Sequence, residues 1–108
     1  MIQNPLLASP ERPFPSKVAV VGAGTIGPDI GYYLLSNITG LELVLVDVVE
    51  DSLNSARERI ESHVKKGLAR DKLTDRQAHA VMNGLVTTLD YEALAGCDWV
   101  IEAATEDL

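Results

Sequence analysis

Residues 17–27 read KVAVVGAGTIG, and this stretch decides the fold. The run from Lys17 to Val21 is dominated by apolar residues, three of them valine, which predicts a strand buried on both faces. Gly22, Gly24 and Gly27 then follow in the spacing G-x-G-x-x-G, at the point where a helix-like pattern begins. A glycine turn between a strand and a helix is typical of a βαβ unit that binds a dinucleotide.

Each residue of this turn has a physical reason to be there. Gly22 allows the tight turn, Gly24 lets a pyrophosphate approach the backbone, and Gly27 lets the helix lie close to the strand. Thr25 and Ile26 open the helix, where N–H groups and the positive end of the helix dipole attract phosphate. We therefore predict that these five residues bind the cofactor.

An acid closes the next apolar run, LVLVD, as Asp47, twenty positions after Gly27. A carboxylate here accepts hydrogen bonds from an adenosine ribose diol and repels a 2′-phosphate, so the sequence favours NAD over NADP. The alternative interpretation is that Asp47 is a helix N-cap, and the two roles are compatible.

The bulk properties exclude several classes of protein. The chain has 108 residues, a formal net charge of −7 and a pI near 4.6, so it has no general attraction for nucleic acid or for an anionic membrane. Its one cysteine, Cys97, excludes an internal disulfide and a cysteine zinc cluster, and we predict a buried thiol. No apolar run reaches about 18 residues and no secretory signal is evident. We expect a cytoplasmic protein.

The remaining pattern alternates strands and helices. Residues 1–16 hold four prolines and are predicted to be an extended leader, followed by a dinucleotide-binding domain over 17–108. A long second helix is indicated by an apolar stripe, and Thr74 with Gln77 fits a capping box. The stripe comprises Leu53, Ala56, Ile60 and Val64, and the first helix is expected to bury Ile26, Ile30, Tyr33 and Leu34.

Helices are predicted over 25–36, about 53–68 and 75–83, with a helical turn over 90–95; strands are predicted over 17–21, 43–46, 85–89 and 99–101. Such alternation predicts an α/β fold with a doubly wound parallel sheet. Because a sheet of this kind normally continues, we expect the chain to be the N-terminal part of a larger dinucleotide-binding domain.

Three segments resemble one family. KVAVVGAGTIGPDIGYYL, KLTDRQA and DYEALAGCDWVIEAATEDL resemble the NAD-binding domain of L-3-hydroxyacyl-CoA dehydrogenases, including 3-hydroxybutyryl-CoA dehydrogenases. The resemblance runs from Lys17 to Leu108. The glycine motif is shared with many dehydrogenases, whereas VIEAATEDL is much more specific.

The resemblance implies an enzyme that oxidises an L-3-hydroxyacyl-CoA to the 3-ketoacyl-CoA and passes a hydride to NAD, in fatty-acid or short-chain acyl-CoA metabolism. It implies a homodimeric parent and a catalytic His–Glu pair in a segment beyond this chain, so no catalytic residue is assigned. His63 and His79 do not match that pair, and we interpret both as surface residues.

The resemblance also implies roles for residues outside the glycine turn. Ala103 matches a residue along the path from adenosine to nicotinamide, and Glu106 matches a glutamate close to the nicotinamide; the alternative for Glu106 is an exposed loop acid. Contacts with the CoA moiety are implied for residues of the second helix. Ser62 matches a CoA-binding serine, and Lys65, Lys66 and Arg70 are cations that either meet CoA phosphates or form a solvated helix end.

Pro28 departs from the small residue usual in this family, and we expect it to stiffen the loop rather than block NAD. Two other functions stay open at this point. One is a non-catalytic NAD-binding regulatory module, and the other is a different Rossmann dehydrogenase.

Overall fold

The computed structural model describes residues 15–24 and 26–103. The strands are β1 (Lys17–Val21), β2 (Glu42–Val46), β3 (Leu85–Thr88) and β4 (Trp99–Glu102). The helices are α1 (Gly27–Asn37), α2 (Glu50–Ala69) and α3 (Asp75–Gly84), and a 3₁₀ helix spans Tyr91–Gly96. Each predicted element is present, with its ends within three residues of the predicted ones.

All strands run parallel, in the order β3-β2-β1-β4. The chain moves outward from β1 through β2 to β3 and then returns to the other side of β1. This reversal places a topological switch point between β1 and β4, and open parallel sheets bind ligands at the carboxyl ends of the strands beside such a point. The predicted α/β fold with a doubly wound parallel sheet is confirmed.

The three α-helices cover one face of the sheet and form the larger core. Fully buried side chains from the strands and helices meet there, namely Val18, Val20, Leu43, Leu45, Ile60 and Val81. The opposite face has a smaller cluster of Ala19, Val44 and Val46. Burial on both faces explains why β1 and β2 read as continuous apolar runs.

The smaller cluster is covered by the 3₁₀ helix, through Ala93 and Leu94, and by Cys97. The predicted burial of Cys97 is only partly correct, because the residue is half-buried at the rim of this cluster. Its Sγ lies 3.4 Å from the carbonyl oxygen of Ala93, to which the thiol donates.

Helix α1 buries the predicted apolar face only in part. Ile26 and Tyr33 are 59% and 65% exposed. The buried residues are instead Gly27, Pro28, Gly31 and Leu35. Small residues allow α1 to lie against β2, as Gly31 shows: a Cβ added there would come within 3.2 Å of Leu43 Cδ2. The predicted apolar face is therefore only partly correct, because Ile30 and Leu34 are half-buried against the core while Ile26 and Tyr33 are exposed.

The predictions for the other two helices are confirmed. Helix α2 buries the whole predicted stripe of Leu53, Ala56, Ile60 and Val64. Helix α3 begins with the predicted capping box. Gln77 N donates to Thr74 Oγ1 over 3.1 Å, and Thr74 N donates to Gln77 Oε1 over 2.9 Å.

Within residues 15–24 and 26–103, no helix combines the length and the apolar composition needed to cross a bilayer. Most of the predicted leader, residues 1–14, lies outside the described residues.

Candidate functional site

The glycine turn leaves β1 through a backbone conformation that favours glycine. Gly22 has a φ of 100°, in the left-handed region where a Cβ is strained. Its N–H donates to the carbonyl oxygen of Val46 over 2.8 Å, so the turn is tied to the end of β2. The tight turn predicted at Gly22 is confirmed.

Gly27 and Gly24 lie at the two sides of this turn. Gly27 is buried, and a Cβ built on it would overlap the carbonyl oxygen of Gly22, so only glycine lets α1 begin this close to the strand. Gly24 is exposed and lines an open cleft. Gly27 is therefore needed for packing, whereas Gly24 leaves the backbone accessible.

Asp47 holds the turn from the neighbouring strand. Its Oδ2 accepts from the N–H of Ala23 over 2.8 Å, and its Oδ1 accepts from the N–H of Val49 over 3.0 Å. Each carboxylate oxygen has a further lone-pair direction, so the half-buried group can still accept from hydroxyl groups of a ligand. The alternative of a helix N-cap is wrong, because Val49 occupies that position at the start of α2.

Ala103 joins the same edge of the sheet. Its N–H donates to the carbonyl oxygen of Val21 over 2.7 Å, immediately before the glycine turn. The ends of β1, β2 and β4 thus bring Gly22, Asp47 and Ala103 to one edge. Thr25 and Glu106, also predicted to bind the cofactor, lie outside the described residues.

An open cleft of about 640 Å³ lies between the glycine turn and α2. One wall consists of Ala23, Gly24 and Pro28, and the other of Asp51, Ser52, Ser55, Ala56, Glu58 and Arg59. Residues of the glycine turn and two serines therefore line one volume. The cleft offers hydrogen-bonding partners for a polar ligand.

The start of α1 is open toward this turn. Ile26, the N-cap residue, has no side-chain acceptor for the N–H groups of the first turn. Pro28 stands in that first turn, where the missing N–H costs little, and is fully buried. The positive end of the helix dipole favours an anion at this position.

The residues implied for CoA contact lie apart from the cleft. Ser62, Lys65, Lys66 and Arg70 are all exposed, on the second half of α2 or at its end. None of the four lines the cleft, but Ser62 follows Arg59, which does, by three residues, or about 4.5 Å along the axis at a rise of about 1.5 Å per residue. The four residues therefore continue along α2 away from the glycine turn.

Helices α1 and α2 are also joined by a charged network. Arg59 Nε and Nη2 donate to the two carboxylate oxygens of Asp29 over 2.9 and 3.1 Å. His63 Nε2 donates to Asp29 Oδ1 over 2.8 Å, and its ring lies 5.0 Å from that of Tyr32. The hydrogen bonds from Arg59, and then that from His63, hold the pKa of Asp29 below its ordinary value.

This network was not found from the sequence. The interpretation of His63 as a surface residue needs correction, because the side chain is 32% exposed and hydrogen-bonded between two helices. Asp29 lies 30 residues from Arg59, so no local pattern links them. The one available signal was the spacing of Arg59 and His63, which puts both on one helix face. His79 is exposed, as predicted.

Known proteins match this sequence and this fold. The family model described as the 3-hydroxyacyl-CoA dehydrogenase NAD binding domain matches residues 17–108. The 3-hydroxyadipyl-CoA dehydrogenase of Escherichia coli K12 is 35% identical over 91 residues, which are 84% of this chain and 19% of that protein.

Solved structures of 3-hydroxybutyryl-CoA dehydrogenases have a similar fold. That of (S)-3-hydroxybutyryl-CoA dehydrogenase from Ralstonia eutropha has a TM-score of 0.79 and 29% identity, over 87% of this chain and 32% of that one. The structure of 3-hydroxybutyryl-CoA dehydrogenase from Escherichia coli K12 has a TM-score of 0.79 and 33% identity, over 86% of this chain and 19% of that one. The chain thus spans between 19% and 32% of the length of these relatives. The chain belongs to the 3-hydroxyacyl-CoA dehydrogenase family as an NAD-binding domain, and NAD is its cofactor.

Proposed function

We propose that this chain is the NAD-binding part of an oxidoreductase that interconverts L-3-hydroxyacyl-CoA and 3-ketoacyl-CoA, in fatty-acid or short-chain acyl-CoA metabolism. The observation that carries the proposal is the meeting of the glycine turn with Asp47 at the carboxyl ends of β1 and β2. The family match over residues 17–108 supports the same reaction.

Cofactor binding is assigned to this edge of the sheet. The backbone around Gly24, with the start of α1, would hold the pyrophosphate. Asp47 would accept from the ribose hydroxyls through the lone pairs that Ala23 and Val49 leave free. Its negative charge disfavours the 2′-phosphate of NADP. When bound, NAD supplies the hydride acceptor for the reaction.

Further cofactor contacts belong to the proposal. Thr25 and Ile26 would contribute to the phosphate site at the start of α1. Ala103 would line the path toward the nicotinamide, and its position beside the end of β1 supports that role. Glu106 would lie close to the nicotinamide, a role that rests on the family resemblance.

The acyl-CoA substrate would lie along the exposed face of α2. Ser62 would contact the CoA moiety as a hydrogen-bonding partner, and Lys65, Lys66 and Arg70 would meet its phosphates. The exposure of all four residues, on the second half of α2 or at its end, supports this assignment. No residue of this chain is assigned to the His–Glu pair that performs acid–base chemistry in the family.

The wider context is proposed on the same basis. Residues 1–16 form a leader, residues 17–108 the N-terminal part of a dinucleotide-binding domain, and the parent protein a homodimer. A cytoplasmic location is supported by the single cysteine, which suits a reducing compartment.

Isothermal titration calorimetry of the 108-residue chain with NADH and NADPH tests cofactor binding. We expect NADH to bind more tightly than NADPH. Asp47→Ala should weaken NADH more than NADPH, since the ribose acceptor and the charge that repels the 2′-phosphate are lost together. An unchanged preference in this variant would remove Asp47 from the ribose role, and the absence of NADH binding by the unsubstituted chain would overturn the proposal.

An assay with acetoacetyl-CoA and NADH tests whether the residues that perform the acid–base chemistry lie outside this chain. We expect no turnover by the 108-residue chain, because no residue in it is assigned to proton transfer. Clear turnover by this chain would contradict that assignment. NADH binding by a parent protein that has no dehydrogenase activity would favour the regulatory module.

A further inference from the structure

The first turn of α1 contains an acid in an unfavourable place for a phosphate-binding helix. Asp29 lies two residues after Gly27, so its Cα is about 3 Å further along the helix axis. A carboxylate at a helix start stabilises the empty helix, because it faces the positive end of the dipole. The same charge opposes a second anion at that end, and NADH carries a pyrophosphate.

Arg59 forms a bidentate ion pair with the Asp29 carboxylate. Its guanidinium meets both oxygens of Asp29, over 2.9 and 3.1 Å, in the bidentate geometry of a strong ion pair. His63 donates to Oδ1 of the same carboxylate over 2.8 Å. One carboxylate therefore has a guanidinium and an imidazole donor around it.

Arg59 also reaches the volume in front of the glycine turn. It lines the same cleft as Ala23 and Gly24, together with the acids Asp51 and Glu58, so a change at Arg59 alters the balance of charge beside the proposed pyrophosphate position. Arg59 and Asp29 are each about half exposed, at 48% and 46%. Solvent screens a pair that is this exposed, but the bidentate geometry and the third partner also let it tie α1 to α2, so the two roles have to be separated by experiment.

We propose that Arg59, assisted by His63, is a positioning residue for the cofactor: it neutralises Asp29, so that the start of α1 can accept the pyrophosphate of NAD. The inference rests on the proposed function, because it requires the pyrophosphate to bind at the glycine turn. It assigns the network to cofactor affinity, whereas a purely structural tie between α1 and α2 would assign it to packing. The two roles predict opposite effects of Asp29→Asn on the affinity for NADH.

Fluorescence titration of the 108-residue chain with NADH separates them. Arg59→Gln leaves Asp29 opposed by His63 alone, and we expect NADH binding to weaken by about three- to tenfold. Asp29→Asn removes the negative charge and should tighten NADH binding by a similar factor of about three to ten. A purely structural tie predicts weaker binding for both variants.

Two further variants complete the design. In the double variant Asp29→Asn with Arg59→Gln, affinity should return to within about twofold of the unsubstituted chain, because both charges are gone. Arg59→Lys keeps the charge and loses the planar fork, so it should also stay within about twofold. Lys rescue keeps the test decisive if Arg59→Gln proves poorly folded by circular dichroism.

Salt provides an independent readout. The difference in affinity between Asp29→Asn and Arg59→Gln should shrink when the salt concentration rises from about 0.05 M to about 0.5 M, because the charges are screened. Weaker binding by Asp29→Asn, or a salt-independent difference, would overturn the inference and leave the proposed function intact. Absence of NADH binding by the unsubstituted chain would overturn both.

Discussion

The N–H of Ala23 donates to Oδ2 of Asp47 over 2.8 Å, which ties the middle of the glycine turn to the end of the neighbouring strand. The other oxygen accepts from Val49, at the start of α2. One carboxylate thus fixes two backbone segments that border the cleft. The acid predicted to bind ribose also pre-organises the loop predicted to bind phosphate.

Asp47→Asn should reduce both stability and cofactor discrimination. An amide keeps one oxygen acceptor, but its NH₂ group cannot accept from a second backbone N–H. We expect the free energy of unfolding to fall by about 1–2 kcal/mol, measured by urea denaturation, together with a smaller preference for NADH over NADPH. Asp71→Asn is a matched control, since Asp71 is exposed with a φ of 56° that Asn tolerates. Equal losses in the two variants would contradict the role of Asp47.

Gly27→Ala should be strongly destabilising. The added Cβ would overlap the carbonyl oxygen of Gly22, which is backbone and cannot rotate away. We expect a loss of about 1–3 kcal/mol in the free energy of unfolding, and weaker NADH binding because the turn must shift. Gly96→Ala is the control, because the nearest atom to its Cβ would be Lys17 Nζ at 3.5 Å. A neutral Gly27→Ala would show that α1 can move off the turn freely.

Thr74→Ala should weaken α3 without affecting the cofactor site. The change removes the acceptor for Gln77 N at the start of the helix. The expected cost is about 1 kcal/mol, measured as a shift in the urea midpoint. NADH affinity should be unchanged, since α3 does not border the cleft. A large loss of NADH binding would mean that α3 and the glycine turn are coupled.

Acid should destabilise the fold through Asp98 and Asp29. Backbone N–H groups of Ser16 and Lys17, and then the Ser16 hydroxyl, lower the pKa of Asp98 below its ordinary value of 3.8. A depressed pKa means that the stabilising contribution is complete above the ordinary value and is lost as pH falls through the folded-state pKa. We therefore expect the urea midpoint to fall below about pH 4.

The variant Asp98→Asn provides the control for this acid effect. It should show a lower midpoint at neutral pH and a shallower decline in acid, because the group that titrates has been removed. A decline as steep as that of the unsubstituted chain would assign the acid sensitivity to other carboxylates. Asp29, with its partners Arg59 and His63, would be the next group to substitute.

Much of the fold was predictable because its signals are local. The run Lys17–Val21 is apolar enough to be buried on both faces, and the stripe through Ile60 has the period of a helix. The capping box at Thr74 and the turn at Gly22 depend on side chains or backbone angles within a few residues. Such features are determined by short-range sterics and hydrogen bonding, so one sequence suffices to place them.

The face that α1 buries was predictable only in part, through Ile30 and Leu34. Hydrophobicity favoured Ile26 and Tyr33, yet the sheet selected Gly27 and Gly31, since the distance between helix and strand is set by the smallest side chains at the contact. At this interface, small side-chain size decided which residues are buried more than apolarity did. The correct face is visible only once β2 lies beside α1.

By itself, the sequence determined the glycine turn, the acid that follows the second strand, and the alternation of strands and helices that makes a parallel sheet. Only the tertiary structure decided that Asp47 binds the turn, and that Arg59 and His63 enclose Asp29. These contacts join residues 24 to 34 positions apart, and no periodicity extends over such a gap. They form because the parallel sheet brings the ends of its strands, and the helices that follow them, to one edge.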